Sequence, residues 1–384
     1  MIRQEEPWAY ELGFVYFFVI IAAIVSCKRA KTPGAEFETV ELQTNEGDLY
    51  PGREDAAIES LERMPRGVGA NLRLRSDMRN FSHFLYSLSE EKPQRSQDGD
   101  IPVVFDDNHK PEAQKKIFSI QAVDALGNGS RTYELIIGYF PKELYEKSGR
   151  KAPGYVILQK SDIPFSSSRV DDWIVDRPDE EDKKFAEATW GPIVEGLATP
   201  NEKAKALAHS LLEALNPHRG IPSDLMKTNP FEQFRRATRG QDHVWCGNLA
   251  EIFVHAANAL GLPARMIDMA RIRSQGPGFE LRTAEGHATT EIFDDTANRW
   301  IWIDLTFSLL GMELEGYGLI HMAELHRALN DPDKIKLLYG IEYDPASKSE
   351  KRVGLAVSDK KNSLLNFFKK DQTFRYRKRT SGRR

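Results

Sequence analysis

The chain has 384 residues, with 53 Lys and Arg against 57 Asp and Glu for a formal charge of −4, 40% hydrophobic residues and two cysteines. That is length enough for two domains with buried cores, and the apolar share excludes wholesale disorder and collagen-like sequence. Two cysteines exclude a disulfide scaffold and a four-thiolate zinc site, while the small net charge hides an acidic body of −12 ahead of a basic end, residues 341–384, with 13 basic and 5 acidic residues.

Leu12 to Ser26 is an uncharged apolar run. It falls short of the ~20 residues of a spanning helix and suits the apolar region of a secretory signal. It ends at Ile24-Val25-Ser26-Cys27, which resembles the bacterial lipobox, and the resemblance implies that Cys27 is lipidated. Residues 1–27 are thus expected to be a signal or anchor that tethers the chain to a membrane, facing away from the cytoplasm. Arg3 is outnumbered by Glu5, Glu6 and Glu11, and Lys28, Arg29 and Lys31 follow the run, so an uncleaved anchor facing the cytoplasm is the other reading. Residues 28–100 are rich in charge, Pro, Gly and Ser and read as a tether, with one short helical pattern near Ala56 to Met64.

Lys116 to Asp124 and Arg131 to Phe140 alternate in polarity around Gly127-Asn128-Gly129, which predicts a hairpin. Gly154 to Lys160 and Arg169 to Val175 predict two more strands. Residues 101–185 are therefore expected to form a small β-rich domain, a packing or targeting module without a chemical signature.

Near residue 199 the period becomes helical. Thr199-Pro200-Asn201-Glu202 is a capping box with proline at the first helical position, and Asn216-Pro217 stops the helix after Leu215. Cys246 opens a second helix with apolar residues at Leu249, Ile252, Phe253, Ala256 and Leu260, ended by Gly261 and Pro263. At a helix N-terminus the free N–H groups and the macrodipole favour an anion, hence the nucleophilic thiolate; elsewhere a lone cysteine is a small buried hydrophobe.

Ala264 to Arg271 predicts a strand, and Gly286 to Phe293 and Trp300 to Leu305 predict an antiparallel pair around the turn Asp294 to Asn298. His287, Thr289, Glu291 and Phe293 share one face, as do Trp300, Trp302 and Asp304. If Phe293 pairs with Trp300, Asp304 lies opposite Thr289 and diagonal to His287; a register two residues tighter sets it opposite His287. Either register brings a carboxylate to an imidazole, the arrangement that orients a base and stabilises its charged form.

Cys246 at a helix start, Gly261-Leu262-Pro263-Ala264-Arg265 at its end, Gly286-His287 opening a strand that contains Glu291, and Trp302-Ile303-Asp304 in the next resemble the transglutaminase-like superfamily over residues 199–310. The resemblance implies an α+β, papain-like core over residues 186–340, a Cys-bearing helix packed on an antiparallel sheet and preceded by the β-rich domain. It implies Cys246 as nucleophile, His287 as base and Asp304 as orienting acid. The Cys246 backbone N–H would serve an oxyanion hole, with Trp245, His243 and Gln241 as candidates for the second donor. Thr289 and Gly247 depart from the family, which often has aromatics there. The expected activity is a cysteine-dependent amide hydrolase or acyltransferase on peptide or isopeptide amides, through a thioester and without cofactor or metal. Hydrolysis is favoured over cross-linking, since no calcium loop of spaced Asp and Asn is present. The alternative is a catalytically silent binding or scaffold protein of the cell envelope.

Glu291 is expected either to support the site or to be a salt-bridged strand residue, and His255 to be a solvated surface histidine. His321 and His326 lack metal-binding spacing. Residues 341–384 are expected to be a disordered basic tail. Its aromatic and basic mixture from Asn366 on could meet an anionic lipid or polymer; nucleic acid is not expected as a partner.

Overall fold

The structure, a computed structural model, describes residues 37–41, 49–64, 68–89, 91–106, 112–141, 144, 155–165, 168–274, 280–368 and 372–379. Leu12 to Ser26 and the lipidation candidate Cys27 lie outside the described residues. Among the described residues no helix is long and apolar enough to cross a membrane. The described residues divide into two compact units, 51–170 and those from 171 onward together with those before 51.

Strand β1 (Phe37–Glu41) belongs to the second unit. The first contains β2 (Ala57–Arg63), β3 (Gly69–Arg75), β4 (Phe81–Leu88), β5 (Gln94–Ser96), β6 (Asp100–Val104), β7 (Gln114–Asp124), β8 (Tyr133–Phe140) and β9 (Tyr155–Ser161). Two antiparallel sheets, β2-β3-β6 and β5-β4-β7-β8-β9, share one core that includes Leu72, Phe84, Ile101, Ile120, Leu135 and Ile137. The expected hairpin is β7 and β8. Its turn is held by Asp124 Oδ1, which accepts from the Leu126 and Asn128 amides at 2.8 Å each, and by Gly127 at φ +86°.

Three expectations are corrected here. Residues 28–100 are not a plain tether, because β2 to β5 and the start of β6 lie within them and the β-rich unit begins at residue 51 and ends at 170. The helical pattern near Ala56 to Met64 is strand β2. A register shift between Ile58 and Ser60 sets Ile58 and Leu61, three residues apart, against the same core, and so copies helical spacing. The predicted strand at Arg169 to Val175 is instead a 3₁₀ turn, Val170–Trp173. Val170 and Trp173, at the two ends of this turn, are each buried.

The second unit contains α1 (Glu180–Val194), α2 (Pro200–Leu215), α3 (Pro230–Thr238), α4 (Cys246–Ala259), β10 (Ala264–Ser274), β11 (Glu280–Asp294), β12 (Arg299–Ile303), β13 (Leu309–Leu314), β14 (Gly318–Leu319), α5 (Met322–Leu329), β15 (Leu338–Asp344), β16 (Ser349–Gly354), α6 (Lys361–Phe367) and β17 (Gln372–Arg379). Its sheets are antiparallel and its helices separate from them, an α+β arrangement. The capping box of α2 is present: Thr199 Oγ1 accepts from the Glu202 amide at 3.2 Å, and Glu202 accepts from the Thr199 amide at 2.9 Å. Leu207, Leu211 and Leu215 of α2 and Leu249, Ile252 and Phe253 of α4 bury one core with Ile292, Ile301 and Ile303 of the sheet. Gly261, at φ +75°, ends α4 where a side chain would be strained.

The larger sheet runs β1-β17-β10-β11-β12, and the smaller one β14-β13-β15-β16. The expected basic tail, 341–384, is corrected on both counts. β16 and most of β15 build the smaller sheet, and β17 lies between β1 and β10 in the larger one. Alternation explains it: Phe374 and Tyr376 of β17 are fully buried, while Arg375 and Arg377, which alternate with them, are half-buried. Arg377 pairs with Asp268 at 2.7 Å, so part of the positive charge is spent inside the unit.

Candidate active site

The Cys246 position is built from three chain segments. Val244, two residues before Cys246, is bridged in parallel to Arg219, with Val244 N–H donating to His218 O at 2.9 Å and Gly220 N–H to Val244 O at 3.1 Å. The Asp242 carboxylate accepts from the Ser223 and His243 amides at 2.9 Å each and faces Arg236 at 3.6 Å. Burial opposes its charge, but a hydrogen bond from the Ser223 hydroxyl, the two amides and Arg236 outweigh that and lower its pKa to about 2. At the helix start Asn248 Oδ1 accepts the Trp245 amide at 3.1 Å, and Asn248 Nδ2 donates to Gln233 at 2.9 Å. Cys246 is a half-buried free thiol as the first residue of α4, where helix geometry leaves N–H groups without an intrahelical acceptor.

β11 and β12 pair Phe293 with Trp300 and Thr290 with Ile303, the wider of the two predicted registers. Asp304 follows directly in the turn beyond β12. His287 Nε2 meets Asp304 Oδ2 at 2.7 Å, and Asp304 Oδ1 accepts from the Thr306 and Phe307 amides at 2.9 and 3.2 Å. Cys246 lies close enough to His287 to raise its pKa. With Nε2 engaged by Asp304, Nδ1 is the ring nitrogen left for the thiol. Cys246, His287 and Asp304 therefore form one continuous relay. His287 is 4% exposed and Asp304 1%. Burial works against the imidazolium, but the Asp304 carboxylate and Cys246 overcome it and raise the His287 pKa to about 10. The half-buried rings of Phe307 and Phe367 lie 5.0 and 4.9 Å from the His287 ring, so the loop after Asp304 and the end of α6 both wall the site.

Glu291 sits elsewhere. It is fully buried, accepts from Arg265 Nη2 at 2.7 Å, from the Met322 amide at 2.7 Å and from Tyr50 Oη at 3.1 Å, and is the salt-bridged strand residue rather than part of the relay. Burial, tempered by Arg265, holds its pKa above the usual carboxylate value. Arg265 is packed among Tyr50, Trp173, Trp300 and Tyr376, with Trp300 at 3.9 Å, and donates to the Leu49 carbonyl. Of the second-donor candidates, the Trp245 and His243 backbone amides are taken by Asn248 and Asp242. That leaves the side chains of Trp245, half exposed, and of His243 and Gln241, both exposed. His255 is corrected from a surface histidine to a buried one: it is 4% exposed, with Asp176 at 3.0 Å on Nδ1 and Asp182 at 2.9 Å on Nε2. Helix α4 is covered on that side too, and its burial on both faces defeated the helical-wheel argument.

Residues 187–305 match the family model described as the transglutaminase-like superfamily. The chain carries a transglutaminase-like domain. No curated protein matches the chain. The matched residues contain Cys246, His287 and Asp304, whereas Phe307, Phe367, Tyr50 and strands β1 and β17 lie outside them. The transglutaminase-like domain is thus completed by segments that flank it on both sides in the sequence. Sequence reasoning missed Phe307, Phe367 and Arg219 beside the relay. The alternation in Thr373-Phe374-Arg375-Tyr376 was the available signal that the C-terminal residues fold back onto this sheet.

Proposed function

We propose that the protein is a cysteine-dependent amide hydrolase or acyltransferase acting on protein or peptide substrates, with Cys246, His287 and Asp304 as its catalytic residues on a papain-like core. One observation carries the reading: a single buried imidazole is hydrogen-bonded to a carboxylate and lies within interaction range of a thiol at a helix start. His287 accepts the Cys246 proton and, as an imidazolium stabilised by Asp304, keeps it until the amine leaves. The Cys246 sulfur attacks the amide carbonyl carbon, and the developing oxyanion takes a hydrogen bond from the Cys246 N–H. Collapse expels the amine with the proton from His287 and leaves a thioester. Water then gives the acid, and an amine gives a new amide. We favour water as the acceptor. A catalytically silent protein of the cell envelope, binding its partner in the same groove, is the competing reading, and the intact relay weighs against it.

Cys246→Ala is expected to abolish release of amine from a peptide mixture and the iodoacetamide labelling found on the Cys246 peptide of the unsubstituted chain. Turnover that survives this substitution refutes the reading. Product masses separate the outcomes, since hydrolysis adds one water and cross-linking loses one ammonia. The proposal extends to a membrane tether through Cys27 and to contact of the basic C-terminal residues with an anionic lipid or polymer.

A further inference from the structure

We infer that Arg219 is a positioning residue of the catalytic relay, holding Asp304 and the approach to Cys246 at once. Its guanidinium donates from Nη1 to the Thr306 carbonyl at 2.6 Å, and from Nη2 to the Leu305 carbonyl at 2.9 Å and the Ser308 hydroxyl at 3.2 Å. All three acceptors belong to the turn that leaves Asp304 and closes at Leu309, where Asp304 N–H and Leu309 N–H exchange hydrogen bonds with each other's carbonyls at 2.8 and 2.9 Å. Ser308 sits in the left-handed region at φ +53°, a conformation that a non-glycine residue keeps only when its surroundings hold it.

The orientation of Asp304 depends on this turn. Its Oδ1 is fixed by the Thr306 and Phe307 amides, and this aims Oδ2 at His287. A turn that relaxes moves those two donors, and the carboxylate with them. On its other side, the backbone of Arg219 bridges to Val244, and the flanking hydrogen bonds of His218 and Gly220 fix the segment that delivers Trp245 and Cys246. One residue thus joins the chain leading to the nucleophile to the turn that aims the acid. The fit needs a planar fork, because two carbonyls and a hydroxyl converge on two nitrogens of one group; an ammonium on a flexible stem does not reproduce it. The guanidinium is also within electrostatic reach of Asp304.

The inference rests on the proposed relay, and its test reads the histidine directly as well as turnover. Arg219→Met and Arg219→Lys are compared with the full-length wild-type chain by the NMR titration of the His287 ring and by steady-state kinetics on a peptide amide. In both variants the His287 midpoint is expected to fall from its raised value. kcat is expected to drop about 10- to 100-fold at unchanged KM, the scale of a misplacement of about 1 Å. A lowered midpoint supports the inference. A folded variant whose His287 midpoint is unmoved overturns it, whatever happens to Tm or kcat, since a merely structural arginine changes stability without changing the titration. Should Arg219→Met fail to fold, Arg219→Lys gives the same reading. Failure of the functional proposal is separate: it shows as turnover surviving in Cys246→Ala, and the His287 midpoint needs no turnover to be measured.

Discussion

Asp304→Asn tests the electrostatics of the relay most directly, because asparagine keeps the shape of the side chain and removes its charge. In the native site the buried His287 ring lies 2.7 Å from the Asp304 carboxylate. Burial alone would favour the neutral ring, but the carboxylate and Cys246 hold the pKa at about 10. Against about 6.5 for a free histidine, at about 1.4 kcal/mol per pH unit, the gap corresponds to on the order of 5 kcal/mol. The folded value lies above the unfolded one, so this stabilisation is complete below pH ~6.5 and is lost as the pH rises to about 10. In Asp304→Asn burial dominates, the ring titrates below ~6.5, and the part of the alkaline slope of stability that comes from His287 disappears. Urea unfolding between pH 5 and 11, both ends being about 1 to 2 units outside the window, reads the slope. kcat/KM should fall on the order of 10⁴-fold, as when the acid of a Ser-His-Asp triad is made an amide. A variant that keeps the wild-type slope and the wild-type pH-rate profile refutes the reasoning.

Arg265→Met leaves Glu291 fully buried without its cation, and is expected to cost about 3 to 5 kcal/mol in urea unfolding, part of which Arg265→Met with Glu291→Gln recovers. The buried His255, held charged by Asp176 and Asp182 against the opposing effect of burial, has a raised pKa; its stabilisation is therefore full below pH ~6.5 and lost as the pH rises through the folded value. In an Asp304→Asn background, His255→Gln should remove the alkaline slope that remains and lower stability by about 2 kcal/mol at pH 6. Ending the chain at residue 371 removes β17 from between β1 and β10 and should abolish cooperative unfolding of the second unit in calorimetry, whereas an unchanged transition would make the segment a dispensable tail.

The relay was legible in the sequence because its members sit on elements whose local signals are strong. Cys246 opens a helix closed by Gly261 and Pro263, and His287 and Asp304 sit on or just past strands joined by a short acidic turn. Each of these signals spans only a few residues, and the register follows once Phe293 meets Trp300. The buried setting of His255 was not legible. A helical wheel assigns one face to the core, and α4 is buried on both, with Asp176 and Asp182 arriving from residues more than seventy positions earlier.

Charge composition misled at both ends of the folded region. β2 and β17 are charged strands, and the register shift in β2 converts a two-residue period into a three-residue one. The chain's local chemistry by itself determined the helix caps, the β7–β8 hairpin and the order of thiol, imidazole and carboxylate. Tertiary structure alone decided that β17 enters the larger sheet, that Tyr50 reaches Glu291, that Phe367 reaches His287, and that Arg219 clamps the turn after Asp304. Contacts across tens to hundreds of residues depend on which surfaces the packed elements leave open, and no local period or cap encodes that.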